Sequence, residues 1–209
     1  MFNYDKDQFI VLDIETSLTL AQIKAINENL TMSNAIFATL GNWIAVTSQG
    51  GVKQHWSKAQ ASELIEFLAT APVVGWNITS FDLPIISITA MNQGSRDWFK
   101  NIVIVDVFAL ITKQAKKQFG IDVYYKLEDI LQLNFGVGKA NFSGDIPAMF
   151  ETNHAGVIAH CEHDVDLELR VYLQALKGLK LPAKEASKYA PAITEWEFKV
   201  ESTDQQKAN

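Results

Sequence analysis

The sequence has a single cysteine among its 209 residues, so no disulfide can form within the chain. This scarcity suits a reducing compartment, and we expect a cytoplasmic protein. A run of ~20 apolar residues, the length of a membrane-spanning helix, is also missing. The N-terminus lacks the basic region and apolar core of a signal peptide. The sequence therefore predicts a protein with no membrane partner.

A large excess of charge is absent as well. The formal net charge of −6 argues against a protein that coats nucleic acid nonspecifically. It does not exclude a nucleic-acid enzyme whose acidic residues surround a metal ion. Four lysines lie near one another in the sequence and could contact phosphates or form a solvated helix face: Lys113, Lys116, Lys117 and Lys126.

Hydrophobic patterning predicts the order of the elements. Apolar runs between turn signals predict five strands, over residues 9–14, 35–47, 51–56, 72–76 and 102–105. Helices are predicted over residues 57–70, 81–92, 127–133 and 155–176, with another that begins at Asp106. This order predicts an α/β fold, a mixed sheet of about five strands with helices on both faces.

The end of the chain has a weaker pattern. Beyond Gly178, two prolines interrupt the sequence and the last residues are polar. We therefore predict one domain over residues 1–178 and a C-terminal arm over 179–209 with a disordered tip.

The first predicted strand ends with two acidic residues, Asp13 and Glu15. Side chains alternate along a strand, so both carboxylates point to the same face. Like charges held so close repel, and burying them without partners is costly. A divalent metal ion between them would remove the conflict.

A second acid, Asp82, follows the predicted strand at 72–76, where a helix begins. Ser80 could cap this helix, and Pro84 falls in its first turn, where proline is tolerated. Asp82 would then lie near the edge of the sheet and near the positive end of the helix. An ordinary helix start with an acid in its first turn would have the same sequence.

The long helix predicted near the end of the domain carries a third acid, Asp164. His160, Asp164 and Glu168 follow one another at intervals of four and form a polar line beside an apolar stripe. Cys161 belongs to that stripe and is predicted to be a core residue. A zinc site that also used His163 is disfavoured, because adjacent helical positions diverge by ~100°. A surface pair of His160 with an acid is the alternative to a functional role.

Together, these acids predict a metal site. Asp13, Glu15, Asp82 and Asp164 come from three elements and suit two Mg²⁺ or Mn²⁺ ions about 3.5–4 Å apart. Such a pair of ions assists the transfer of a phosphoryl group to water. His160 lies one helical turn before Asp164, where it could orient or deprotonate the attacking water.

Three short motifs resemble those of the DEDD superfamily of 3′–5′ exonucleases, which share the ribonuclease H-like fold. The most similar group is the proofreading exonuclease domain of family B DNA polymerases, with its stand-alone relatives. The motifs are Asp13-Ile-Glu15-Thr16, the segment from Asn77 to Pro84, and His160-Cys-Glu-His-Asp164-Val. The segment from Tyr125 to Lys139 is also similar, and the resemblance covers residues 9–175.

The resemblance implies metal binding by Asp13, Glu15, Asp82 and Asp164. It also implies that Thr16, Asn77 and Phe81 contact the substrate, and that the third motif supplies the water-orienting residue. One departure concerns that residue, because His160 stands where the tyrosine branch has tyrosine. In the histidine branch, the histidine precedes the acid by five residues, whereas here it precedes it by four.

The resemblance therefore implies a metal-dependent 3′–5′ exonuclease that acts on single-stranded 3′ ends and releases nucleoside 5′-monophosphates. DNA is expected as the substrate rather than RNA. The chain has no room for a polymerase domain, so we expect a separate polymerase or replication protein as partner. The alternative is a catalytically weak ribonuclease H-like module that binds nucleic acid or a replication protein. The presence of all four acids argues against that alternative.

Overall fold

The computed structural model describes residues 8–26, 33–94, 102–138, 145–185 and 192–200. The main sheet has five strands: β1 (Ile10–Thr16), β2 (Trp43–Gln49), β3 (Val52–Ser57), β4 (Val73–Gly75) and β5 (Ile104–Asp106). Their order is β3-β2-β1-β4-β5. Strand β2 runs antiparallel to β1 and β3, whereas β4 is parallel to both β1 and β5. The predicted α/β class and the mixed sheet of five strands are confirmed.

The described ranges contain eight α-helices: α1 (Leu20–Ile26), α2 (Ser33–Leu40), α3 (Ala61–Leu68), α4 (Asp82–Asn92), α5 (Val107–Phe119), α6 (Leu127–Phe135), α7 (Ile146–Thr152) and α8 (His154–Ala175). A single 3-10 turn precedes α3, and there the side-chain oxygen of Gln60 accepts from the Ser57 amide at 3.1 Å. No helix in these ranges is long and apolar enough to cross a bilayer.

Residues of β1 alternate between two cores. Ile10, Leu12 and Ile14 face one core, which also contains buried side chains of α2, α3 and α4. Val11 faces the other, with side chains from α5, α6 and α8. Helices thus cover both faces of the sheet, as predicted. Asp13 and Glu15 follow Val11 at intervals of two and share its face, across which α8 packs on β1, β2 and β4.

The predicted strand over 35–47 is wrong in its first half, because that segment forms α2 before β2 begins. A short apolar run fits a helix or a strand equally well by periodicity. Gly41 separates the two elements, and a Cβ there would lie 2.8 Å from the Phe37 carbonyl oxygen. Ser80 does not cap α4, since Phe81 holds the N-cap position. Helices α1 and α7 were not predicted.

The C-terminal segment is not the peripheral arm expected from the sequence. Its described residues form an antiparallel pair, β6 (Leu179–Leu181) and β7 (Trp196–Phe198), whose apolar side chains join the core beside α8. The Trp196 indole N–H also donates to the Tyr125 hydroxyl at 2.8 Å. These two strands, Leu-Lys-Leu and Trp-Glu-Phe, lack the continuous apolar runs that predicted the equally short β4 and β5. The predicted disordered tip, residues 201–209, lies outside the described residues.

Candidate metal centre

An open cleft lies where the parallel strands β1, β4 and β5 end. Its volume is about 400 Å³, and its lining includes five carboxylates from β1, α4 and α8: Asp13, Glu15, Asp82, Asp164 and Glu168. Crevices beyond the carboxyl ends of parallel strands are the usual ligand sites of open α/β sheets. The structure therefore brings all four predicted acids to one site and adds two more, Glu168 on α8 and Glu128 on α6.

Asp82 is held by a backbone N–H group of β1 that lies beyond the end of β4. Strand β4 pairs with β1 through Ile10 and Val11, and further along β1 the Ile14 N–H donates to Asp82 Oδ1 at 3.0 Å. Burial raises the pKa of Asp82 well above its ordinary value, and the nearby charge of Asp13 raises it further, against the effect of backbone hydrogen bonds. The site therefore opposes the charged form of this carboxylate until a cation compensates it.

Glu15, His160 and Asp164 place three possible metal donors close together. His160 Nε2 lies 3.4 Å from Glu15 Oε1 and 3.9 Å from Asp164 Oδ2. One donor atom from each residue lies within 4.8 Å of the others, so the three could hold a metal ion. Of these three residues, Glu15 and Asp164 also line the cleft.

Cys161 contacts the first predicted acid. Its thiol lies 3.2 Å from Asp13 Oδ2 and 3.3 Å from the Asp13 carbonyl oxygen. Burial raises the pKa of the thiol, and the charges of Asp13 and Glu15 raise it further. The thiol is thus a stable donor rather than a nucleophile. Its predicted place in the core is confirmed, but its contact with Asp13 was not predicted.

Glu168 is the residue that sequence reasoning left without a role. It lies one turn after Asp164 and is buried beside Gly75, where an added Cβ would be 3.2 Å from Glu168 Oε2 and 2.8 Å from the Leu12 carbonyl oxygen. The signal was present in the sequence, because the polar line on α8 includes Glu168. Its carboxylate is buried and lines the cleft together with the four predicted acids.

The predicted substrate residues divide into two groups. Asn77 and Phe81 line the cleft, and the Phe81 ring packs edge-on against Phe37 with centroids 5.2 Å apart. Asn77 has a left-handed backbone, with φ of 63°. The Thr16 side chain is not brought to the cleft, because it is buried at the end of β1, where its hydroxyl donates to the Leu18 carbonyl at 3.0 Å.

Aromatic residues form one side of the cleft. The Trp76 and Phe108 ring centroids are 5.5 Å apart, and those of Phe108 and Tyr124 are 5.2 Å apart. Tyr124 is 68% exposed. Lys126 also lines the cleft, whereas Lys116 pairs with an acid on the surface, Asp122, at 3.0 Å. Of the four predicted lysines, only Lys126 thus belongs to the described cleft.

Comparison of the sequence with models of known families and with curated proteins finds no match. What the centre can do chemically follows from its own donors. Carboxylate oxygens suit Mg²⁺ and Mn²⁺, and His160 offers one imidazole nitrogen beside Glu15 and Asp164. The open cleft in front of these donors leaves room for a ligand.

Proposed function

We propose that the protein is a metal-dependent 3′–5′ exonuclease with a ribonuclease H-like fold. It would hydrolyse phosphodiester bonds at single-stranded 3′ ends and release nucleoside 5′-monophosphates. We propose DNA rather than RNA as its substrate. The observation that carries the proposal is the convergence of carboxylates from β1, α4 and α8 in one open cleft. A module that only binds nucleic acid has no need of buried acids that repel one another.

The donor set fits divalent metal ions. Asp13, Glu15, Asp82 and Asp164 would hold them, with Glu168 beside Asp164. The raised pKa of Asp82 supports this fit, because a cation is the partner that would restore its charge. When bound, two such ions supply activation of water and stabilisation of the charge that develops on the leaving oxygen.

The remaining groups hold the acids in place. The Ile14 N–H fixes Asp82, and the Cys161 thiol fixes Asp13. These donors come from β1 and from α8. Acids held in this way need little rearrangement when a phosphodiester enters the cleft.

The side of the cleft supports an unpaired nucleic acid as the substrate. Unpaired bases expose faces that can stack on aromatic rings, each worth roughly 1–3 kcal/mol. Trp76, Phe108 and Tyr124 offer such rings, and Phe81 lines the same cleft. Lys126 adds a positive charge within reach of a phosphate. Duplex ends would have to open before their bases could use these rings.

The test uses oligonucleotides of DNA and RNA labelled at either end, with Mg²⁺, Mn²⁺ or EDTA. We expect shortening from the 3′ end, one nucleotide at a time, with Mg²⁺ or Mn²⁺ and none with EDTA. A circular single strand should survive, and its rapid cleavage would show an endonuclease instead. Tight binding with no cleavage in either metal would favour the binding module.

A matched pair of variants tests the substrate side. Tyr124→Ala should raise KM for single strands, because it removes an exposed ring from the cleft. Lys116→Ala is the control, since its partner is Asp122 on the surface. Equal effects of the two variants on KM would contradict the proposed stacking.

A further inference from the structure

His160 is placed by helix geometry. Residues four apart on a helix share a face, so His160 and Asp164 project together from α8 toward Glu15 on β1. The His160 side chain is only 12% exposed, and its Nε2 atom is directed at the two carboxylates. Glu15 and Asp164 in turn line the cleft, so the imidazole lies next to two of its carboxylates.

The distances differ from those of a direct hydrogen bond. A typical N–H···O bond has a donor–acceptor distance of about 2.7–3.2 Å. The pair formed by His55 Nε2 and Glu162 Oε1, at 2.6 Å, shows how closely an imidazole and a carboxylate approach in this protein. By contrast, His160 Nε2 stays 3.4 Å from Glu15 and 3.9 Å from Asp164.

The same distances suit donors that share one ion. Metal bonds of about 2.0–2.2 Å place neighbouring donors about 3.0–3.5 Å apart. The separation of 3.4 Å lies within that range, and the one of 3.9 Å needs only a small side-chain adjustment. Two carboxylates with a neutral imidazole would also balance the charge of a divalent ion. Asp13, Asp82 and Glu168 would still face the cleft.

We propose that His160 is a metal ligand, and that with Glu15 and Asp164 it forms a site that prefers a first-row transition metal such as Mn²⁺ to Mg²⁺. Imidazole nitrogen suits transition metals, whereas Mg²⁺ is usually bound by oxygen atoms. A catalytic role for this metal ion rests on the proposed exonuclease function. Binding of the metal ion does not depend on nuclease activity. His160, which stands where the similar exonuclease motif has tyrosine, would then set the metal preference of the protein.

The test measures Mn²⁺ binding to the full chain after metal removal. Electron spin-echo envelope modulation of the bound Mn²⁺ should show coupling to a directly coordinated ¹⁴N. The coupling should vanish in His160→Gln and persist in His55→Gln, a control at the exposed imidazole–carboxylate pair. Mn²⁺ affinity should fall on the order of tenfold or more in His160→Gln, with a smaller change for Mg²⁺.

A labelled wild-type protein keeps the test decisive if His160→Gln fails to fold. Growth with ¹⁵N-histidine should replace the ¹⁴N pattern of bound Mn²⁺ by a ¹⁵N pattern. Bound Mn²⁺ without nitrogen coupling would overturn the inference. Cleavage in Mg²⁺ together with that result would leave the proposed function standing. Nitrogen coupling without any cleavage would leave the metal site standing and reject the exonuclease.

Discussion

Asp82 and Asp106 lie at the same edge of the sheet and are almost equally buried, at 4% and 5% exposure. Their partners differ. Asp106 accepts hydrogen bonds from the backbone N–H groups of Asn77, Thr79 and Ala109 at 2.9–3.1 Å, and from the Thr79 hydroxyl at 2.5 Å. Asp82 accepts from the backbone N–H of Ile14 at 3.0 Å and from its own backbone, but it faces the charge of Asp13 and, more weakly, that of Asp106.

The comparison shows that burial alone does not identify a functional acid. Backbone N–H groups and a hydroxyl stabilise the charge of Asp106, so its role is structural. It caps α5 and holds the loop from Asn77 to Thr79, which leads into α4. Asp82 is placed against another carboxylate, which a cation would compensate. The structural acid thus positions the segment that carries the candidate metal ligand.

A pair of isosteric substitutions distinguishes the roles of Asp82 and Asp106 most directly. Under the proposed function, Asp82→Asn should lower kcat by roughly 10³-fold or more, since several kcal/mol of charge stabilisation would be lost. Asp106→Asn should retain most of the activity at a temperature where it is folded. The measurement is the rate of 3′-end shortening with Mn²⁺. Near wild-type cleavage by Asp82→Asn would contradict the metal role of Asp82.

The same pair should have opposite effects on stability. Asp106→Asn loses charge-assisted bonds and turns an amide N–H₂ group toward donors, so we expect a loss of about 2–4 kcal/mol in the free energy of unfolding. Asp82→Asn should stabilise the metal-free protein above pH 3.8, because it removes a carboxyl group whose ionisation is opposed in the folded state by burial and by Asp13. Urea denaturation with EDTA measures both. Destabilisation of similar size in the two variants would remove the distinction.

The pH dependence of stability gives an independent test. The folded-state pKa of Asp82 is raised above 3.8, so the folded protein retains a proton that the unfolded chain has released. The contribution of Asp82 to stability should therefore decrease as the pH rises from 3.8 through the raised pKa. The difference between wild type and Asp82→Asn, measured with EDTA, isolates this contribution. A difference that is constant over this pH range would contradict the assignment.

A smaller effect should come from the donor that holds Asp13. Cys161→Ala removes the thiol 3.2 Å from Asp13 Oδ2, and we expect a loss of roughly tenfold in metal affinity or activity. Cys161→Ser keeps a donor at the same position and should recover part of this loss. Metal titration followed by a change in thermal stability measures both variants. Identical behaviour of the alanine and serine variants would show that the thiol only fills space.

Local rules account for what could be predicted at the site. Strand alternation put Asp13 and Glu15 on one face, and helix periodicity put His160, Asp164 and Glu168 on one line. The same rules failed for the run before Trp43, which is apolar enough for either element, and for the three-residue strands near the C-terminus. Those short elements owe their form to the core that they complete.

Local patterns in the sequence were enough to predict the α/β class with its mixed sheet, and the spacing of the acids within each motif. They also placed the first two motifs where β1 and β4 end and the third motif on α8. Which buried acids face one another, and which receive hydrogen bonds, depends on packing between distant segments. Ile14 and Asp82 are 68 residues apart, Asn77 and Asp106 are 29 apart, and Asp13 and Cys161 are 148 apart. No local pattern carries such pairings, because a hydrogen-bond partner so distant in sequence is chosen only when the sheet and its helices pack. That packing gave Asp106 its donors and left Asp82 beside Asp13.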